Sequence, residues 1–359
     1  MKKLLFVYGG KSVEHDISII TSLQVMKIAE KNYDIIPVYV DRNGAWWTGK
    51  NLQKSSIYAD FHRKVKRKRR VFACFGQGCF LIGKRLVSPD VAIVCSHGIN
   101  GEDGSVSAIL EQVGIPYSCS SILSSAITMD KAVTKIILKN EGILNPEFVT
   151  LKRGESFVKV LENIEFPVIV KPANLGSSVG IGVAKTEIEL REKAEVAFNF
   201  DDKILVEKFL TGSREFNCAC FKYKDKLFTS KVFEVSKGDF FTFEEKYLKE
   251  SEKNKIEIDE ELKSKIIKLT KKTYSSLDCF GIVRVDFLFK DDTLYVNEVN
   301  NIPGALSCYM FEEKFDEILD LLVDESIRRF ENKKRISYSF NSDALKVFEK
   351  EQDAIVVKK

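Results

Sequence analysis

Apolar and polar positions alternate along this chain in two rhythms, punctuated by glycine. The run Lys3–Tyr8 predicts a short strand, Gly9-Gly10 closes it, and a helical pattern follows from about Ser12 to Lys31. Ile35–Val40 reads as the next strand, and Asp41-Arg42-Asn43-Gly44 as a turn leading into Trp46 and Trp47. Val71–Ile82 alternates around the turn residues Gly76-Gln77-Gly78, as a hairpin would. Asp90–Cys95 then predicts a strand running into His97-Gly98 and a glycine-rich loop, with a helix from about Ser105 to Val113. Strand, glycine loop and helix in repetition argue for an open α/β sheet with sites at the carboxyl ends of its strands.

A second module opens near Met129-Asp130-Lys131 with a helix reaching Gly142, stopped by Asn145-Pro146. Strands are predicted at Phe148–Lys152 and Pro167–Lys171, then a glycine-rich turn and a helix near Thr186–Phe198. From Lys203 the texture is strand-rich, followed by a helix over Asp259–Leu277 and a long hairpin. The tail beyond Phe330 is charged and weakly patterned, and no internal repeat is visible.

With 359 residues, and roughly 150 residues to a domain, the chain has material for two or three domains. Lysine and arginine outnumber aspartate and glutamate 56 to 52, a net charge of +4 that calls for neither a nucleic acid nor a membrane partner. The apolar run after Lys3 is too short for a secretory signal, and no uncharged stretch approaches the about 20 residues of a membrane helix. A cytoplasmic location is expected. None of the eight cysteines forms a C-x-x-C pair, and three histidines leave little for a zinc site. Seven of the eight residues from Arg63 to Arg70 are basic. No aromatic platform interrupts that run, so a solvated hairpin tip is preferred to a nucleic-acid patch.

The most informative segment is the hairpin Gly281 to Gly304. Val283, Val285, Phe287 and Phe289 share a core face, and Arg284 and Asp286 lie on the other. On the return strand Val296, Glu298 and Asn300 are expected to share a face. With an odd turn such as Asp291-Asp292-Thr293, Asp286 sits opposite Glu298, and Arg284 opposite Asn300. Two carboxylates and an amide oxygen are hard ligands suited to Mg²⁺, and an arginine beside them suits developing negative charge. The abrupt Asn301-Ile302-Pro303-Gly304 turn favours this metal site over a buried salt-bridge network.

In Pro167 to Gly182, a buried strand delivers Lys171, and Gly176, Ser177, Ser178, Gly180 and Gly182 form a small-residue loop. Such a loop admits phosphate oxygens to backbone amides, with lysine as a point charge. It is not a Walker loop, because Lys171 precedes the glycines.

Taken in order, Lys131 in M-D-K, Lys171, Glu207-Lys208 in V-E-K-F-L, Glu215 and the Asp286/Glu298/Asn300 set resemble an ATP-grasp enzyme. The segments G-G-K-S-V-E-H-D-I-S, S-H-G-I-N-G-E-D-G and E-E-K-Y-L narrow the resemblance to the D-alanine–D-alanine ligase family, over about Leu4 to Phe330. It implies an α/β chain with α+β elements in a three-domain ATP-grasp fold. An open-sheet substrate domain would span 1–128, a central ATP-grasp subdomain 129–212, and a carboxyl-terminal subdomain with metal site and lid 213–330. A charged tail, 331–359, would be left over.

The resemblance also implies roles. Lys131, Lys171 and Ser178 would meet ATP, Lys246 would reach the γ-phosphate, Glu207 with the backbone of Lys208, Phe209 and Leu210 would read adenine, and Glu215 would hold ribose. Asp286, Glu298 and Asn300 would bind two Mg²⁺ or Mn²⁺ ions. Glu14 would hold the ammonium of the first D-alanine, linked to Ser177 and Tyr247, with His97 near the substrates. Arg284 and the Gly304 amide would stabilise the oxyanion. The implied reaction passes through D-alanyl phosphate to D-alanyl-D-alanine for peptidoglycan precursors, in a homodimer, with Gly238–Lys255 as a closing lid.

Two places depart from the family pattern. Lys253–Ile258 stands where the family has Pro-Ala, and Tyr309 stands at the family's acceptor serine, with Ser307 as a possible substitute. An acceptor other than D-alanine (D-serine, D-lactate or another amine) is therefore the rival enzyme reading. A non-catalytic ATP-binding regulator is the reading from another class.

Overall fold

The computed structural model describes all residues except 65–68, 236–257, 312–313, 338, 341 and 357–359. Three sheets follow one another along the chain. The first has the order β6-β5-β4-β3-β2-β1-β7, from β1 (Lys3–Gly9), β2 (Asp34–Val40), β3 (Trp46–Thr48), β4 (Arg69–Cys74), β5 (Cys79–Ile82), β6 (Arg85–Val87) and β7 (Val91–Val94). Strand β1 runs parallel to both β2 and β7, with Leu4 beside Ile35 and Val91. Leu4 to Tyr8 are all fully buried, as a strand covered on both faces requires. Helix α1 (His15–Ala29) crosses over between β1 and β2, and its Ile17, Ile19, Val25 and Met26 are buried.

Among the described residues only these three strands are parallel. Beyond β2 the sheet continues as an antiparallel meander through β3, where Trp46 and Trp47 form a short strand directly after the expected turn at Asp41–Gly44. The middle of the basic run, 65–68, lies outside the described residues. Arg63 lies in a one-turn helix α2 (Phe61–Lys64), whereas Arg69 and Arg70 begin β4. The turn between β4 and β5 is the glycine turn, docked by Gly76 and Gly78 amides on the Gln112 and Val113 carbonyls. Arg70 has a packing use: its guanidinium lies 4.8 Å from the Trp47 ring centre.

Helices α3 (Ser105–Val113), α4 (Ile122–Met129) and α5 (Lys131–Asn140) lead to the second, antiparallel sheet. Its order is β10-β9-β11-β8, from β8 (Phe148–Lys152), β9 (Val168–Pro172), β10 (Gly182–Ala184) and β11 (Lys203–Lys208). Helix α6 (Val158–Asn163) and α7 (Glu187–Phe198) close its core of Val168, Val170, Leu190, Ala194 and Ile204. The third sheet has the order β13-β12-β15-β16, from β12 (Arg214–Tyr223), β13 (Lys226–Thr229), β15 (Val283–Lys290) and β16 (Thr293–Asn300), with β14 (Phe233–Val235) also paired to β12. Helix α8 (Glu260–Ser276) packs against it through Leu262 and Ile266.

The β15–β16 hairpin reaches its expected pairing by an unexpected route. Its turn has two residues, Asp291 and Asp292, both with positive φ (48° and 55°), and Lys290 pairs with Thr293. Continued inward, that register would set Asp286 against Asn297. A bulge intervenes: Phe287 pairs with Val296, but Asp286 pairs with Glu298 and Arg284 with Asn300. One consequence corrects the sequence expectation. Val296 does not share a face with Glu298; it turns into the core with Val283, Val285 and Phe287.

Helix α9 (Phe315–Lys333) returns to the first sheet, so Ile318, Leu319, Leu322 and Val323 share one core with Leu4 and Val91. In the tail, a further helix α10 (Ala344–Val356) forms, exposed over Ala344–Glu351. Among the described residues no helix is long and apolar enough to cross a membrane.

The third sheet is locked to the first at Gly281. Its φ is +74°, and a methyl group there would lie 2.1 Å from the Ser118 carbonyl oxygen. Ser120 Oγ accepts from Phe280 N and donates to Phe280 O beside it. Gly281→Ala is expected to destabilise the protein by about 2 kcal/mol or more, since backbone strain and overpacking each cost about 1–3 kcal/mol. Urea unfolding measures this, and an unchanged midpoint would show that the contact yields freely.

Candidate active site

The hairpin delivers Arg284, Asp286, Glu298 and Asn300 to one sheet face. Arg284 grips Asp286 with two bonds, Nε to Oδ1 at 2.7 Å and Nη2 to Oδ2 at 2.8 Å. Asn300 Nδ2 adds a third to Oδ2 at 3.0 Å. Burial works against the Arg284 charge, but Asp286 more than restores it, and its pKa is raised above the usual value. Among the described residues no three His, Cys, Asp or Glu side chains gather as a metal shell. The donor set is two carboxylates and one amide.

The second sheet faces this hairpin with lysines. Lys171, on β9, donates from Nζ to Glu207 Oε2 at 2.8 Å and to Asn297 Oδ1 at 3.1 Å. Asn297 is the bulge residue, so the register break supplies that acceptor. Lys131, at the first position of α5, donates to the Leu175 carbonyl at 2.5 Å and lies 3.8 Å from Glu298 Oε2. Asp130 caps α5, accepting from the Ala132 and Val133 amides, and is anchored in turn by Lys203. Glu207 is fully buried, and burial alone would raise its pKa. Lys135 and Lys171 together overcome that and hold it below the ordinary carboxylate value.

The structure therefore brings Lys131, Lys171, Glu207, Glu298 and, through the hairpin face, Asp286, Asn300 and Arg284 together. Lys208, Phe209 and Leu210 form the crossing from β11 towards β12, where Phe209 N bonds the Pro167 carbonyl. Glu215 is exposed near the start of β12. Lys246, Tyr247 and the expected lid lie outside the described residues.

A third cluster comes from the first sheet. Glu14 sits just before α1, 6% exposed, and accepts a 2.5 Å bond from Ser177 Oγ on the glycine loop. Gly176 and Gly98 flank it: a methyl group on either would come within 2.8 Å of a Glu14 oxygen. Ser177 and Ser178 both adopt left-handed backbone (φ 54° and 59°), which turns the loop. Burial raises the Glu14 pKa, and nearby Glu102 raises it further, against the pull of His97, Ser177 and Lys131. His97, 4% exposed, is held by Thr21 Oγ1 at 3.0 Å from Nε2, with Glu102 Oε2 3.6 Å from Nδ1.

Thr21 also accepts from the Ala305 amide at 3.1 Å, which ties this cluster to the turn after Gly304. Ala305, Leu306 and Ser307 there are consecutively left-handed (φ 50°, 48° and 52°). Ser307 is fully buried, with a hydroxyl that makes no hydrogen bond. Tyr309 is 50% exposed, its ring edge-on to Phe233 at 6.3 Å.

Two family models match the chain: the D-ala D-ala ligase N-terminus over residues 3–120 and the D-ala D-ala ligase C-terminus over residues 137–318. The chain belongs to the D-alanine–D-alanine ligase family. A D-alanine–D-alanine ligase of Thermosipho melanesiensis is 41% identical over 355 residues, covering 95% of this chain and 98% of the relative. The solved ligase of Helicobacter pylori is 27% identical with a TM-score of 0.79, covering 90% of this chain and 98% of that one. A D-Ala:D-Ser ligase from Enterococcus faecalis is 28% identical with a TM-score of 0.78, covering 92% and 99%. The fold is the ATP-grasp fold of this family.

For a D-alanine–D-alanine ligase family member, five further residues hold the site without having been singled out by sequence. Lys135 repeats Lys131 one helical turn on, and Asn297 directly precedes Glu298, so both were visible as spacing. Ser18, which accepts from the His97 amide at 2.7 Å, and Glu102 lie inside the quoted segments 9–18 and 96–104 without a role of their own, and Thr21 had no such signal.

Because the folded Glu14 pKa lies above the ordinary carboxylate value, the native state holds that proton longer than the unfolded chain does. Glu14 thus costs stability increasingly as pH rises from the ordinary carboxylate range through the raised value. Glu14→Gln is expected to raise Tm near neutral pH and to leave it almost unchanged in mild acid. Thermal melts across that range check the sign, and a lower Tm at neutral pH would contradict it.

Proposed function

We propose that this protein joins two D-alanine molecules at the expense of ATP, giving D-alanyl-D-alanine, ADP and phosphate. The observation that carries the reading is the Ser177–Glu14 bond. It sets a buried carboxylate against the loop that Lys131, 3.8 Å from Glu298, holds at its start through the Leu175 carbonyl.

Glu14 would receive the ammonium of the first D-alanine, a cation that satisfies its buried charge. The carboxylate of that D-alanine is a poor electrophile, so one of its oxygens attacks the γ-phosphorus and ADP leaves. The amine of the second D-alanine then attacks the acyl carbon, and phosphate departs with that oxygen. Lys131 and Lys171 would meet the ATP phosphates, and Lys246 would reach the γ-phosphate. Ser178 would add the glycine-loop backbone, Glu207 with Lys208–Leu210 would read adenine, and Glu215 would hold ribose. Arg284, fixed by Asp286, and the Gly304 amide would face the developing oxyanion. His97, steadied by Thr21 and Glu102, would orient the substrates, and Tyr247 would extend the Glu14–Ser177 link.

The oxygen donors on the hairpin fit a hard divalent cation, with Asp286, Glu298 and Asn300 as the residues to hold it. Two Mg²⁺ or Mn²⁺ ions there would neutralise phosphate charge. The division at 128, 212 and 330, a homodimer and a cytoplasmic site of action, where ATP is supplied, belong to the same proposal.

A second reading rests on Tyr309, which stands at the family's acceptor serine. Ser307, buried with an unused hydroxyl, is the group that could replace that serine for the acceptor carboxylate. The test is product mass after incubation with ATP, Mg²⁺ and D-alanine, with and without D-serine. Dipeptide of D-alanine alone is expected, dependent on the metal, and Tyr309→Ser should improve it by about ten- to a hundredfold, the equivalent of roughly 1.5–3 kcal/mol. No dipeptide from D-alanine but ready condensation with D-serine would establish the rival acceptor. ATP binding with no phosphate release in the presence of D-alanine would point to a regulator.

A further inference from the structure

A buried charge beside Glu207 has no use in the proposed reaction. Lys135, on α5, is 2% exposed, and its Nζ lies 3.4 Å from Glu207 Oε1 without hydrogen-bond geometry. The other Glu207 oxygen already has a full partner in Lys171 at 2.8 Å. Two ammonium groups thus surround one carboxylate, with the neutral Asn297 amide completing the Lys171 shell. The Lys171–Glu207 pair alone would be electrically balanced. Adding Lys135 leaves an excess positive charge where water is excluded, an arrangement that costs the free protein stability. Burial accordingly brings the Lys135 pKa down to about 8, against the attraction of Glu207.

That cost is intelligible if Glu207 has to lose Lys171 during the catalytic cycle. Lys171 ends the strand that opens the glycine loop, so a bound phosphate would compete with Glu207 for its ammonium. Were Lys171 to turn away, Lys135 would be the cation left beside the buried Glu207 carboxylate among the described residues. We propose that Lys135 is a positioning residue. It is the standing countercharge of Glu207, already in place in the free protein, that allows Lys171 to be transferred to a nucleotide phosphate.

This rests on the ATP-binding reading above, and the test separates the two. Lys135→Met and Lys135→Gln remove the charge at similar length. Calorimetric titration with MgATP and with adenosine, together with thermal melts, is run on both variants and on wild type. The expected result is a tenfold or greater loss of MgATP affinity with adenosine affinity within twofold of wild type, because adenosine makes no demand on Lys171. The Tm of the free variants should be unchanged or higher, since a balanced Lys171–Glu207 pair remains. A merely structural lysine would lower Tm and weaken both ligands together. MgATP affinity within threefold of wild type, equal losses for the two ligands, or failure of both variants to fold would each overturn the proposal. A wild type that binds neither ligand would instead overturn the ATP reading, and this proposal with it.

Discussion

One extra residue in strand β16 decides where the chemistry of this protein stands. The two-residue turn of the β15–β16 hairpin, continued in plain register, would oppose Asp286 to Asn297 and send Glu298 into the core. The bulge at Asn297 shifts the inner half of the pairing by one residue. Because side chains alternate across a strand, that shift exchanges the faces. It brings Glu298 and Asn300 beside Asp286 and Arg284, leaves Val296 and Val299 for the core, and frees Asn297 to meet Lys171. The second sheet and the first then dock onto a face that already exists.

What docks there is charged at a cost. Glu14 is a buried carboxylate with Glu102 nearby, Glu207 is shared by two lysines, and Asp286 has both oxygens bound by Arg284 and one also by Asn300. None of these arrangements is the least expensive way to build a core, since burying charge is repaid only by close, complete pairing. Each becomes reasonable once an ammonium, a set of phosphates and divalent cations are added. On the proposed reading, most complements of the substrates already stand in place in the free protein, and the transfer of Lys171 from Glu207 to a phosphate is the reorganisation that remains.

Much of this was legible in the sequence because short-range chemistry governed it. The apolar run of β1, the helix at Ser105–Val113 and the strand at Phe148–Lys152 are set by local pattern and stops, and the structure has them where the pattern put them. The opposition of Asp286 to Glu298 was legible from face alternation, though through an assumed three-residue turn. The actual turn and bulge were not, because two left-handed aspartates and one slipped residue leave no periodic trace. The joining of β3 to β4 and the packing of Arg70 on Trp47 depend on strands separated by a long connection. Thr21, which joins His97 to Ala305, was illegible for the same reason: its two partners lie 76 and 284 residues away.

The claim on which everything else rests is that a D-alanine carboxylate is activated by phosphorylation at this site. Supplying D-alanine labelled with ¹⁸O in both carboxylate oxygens, together with ATP and Mg²⁺, and weighing the released phosphate tests it directly. The account predicts one ¹⁸O in each phosphate released and one in each dipeptide carbonyl formed. Unlabelled phosphate, released in step with product, would contradict it.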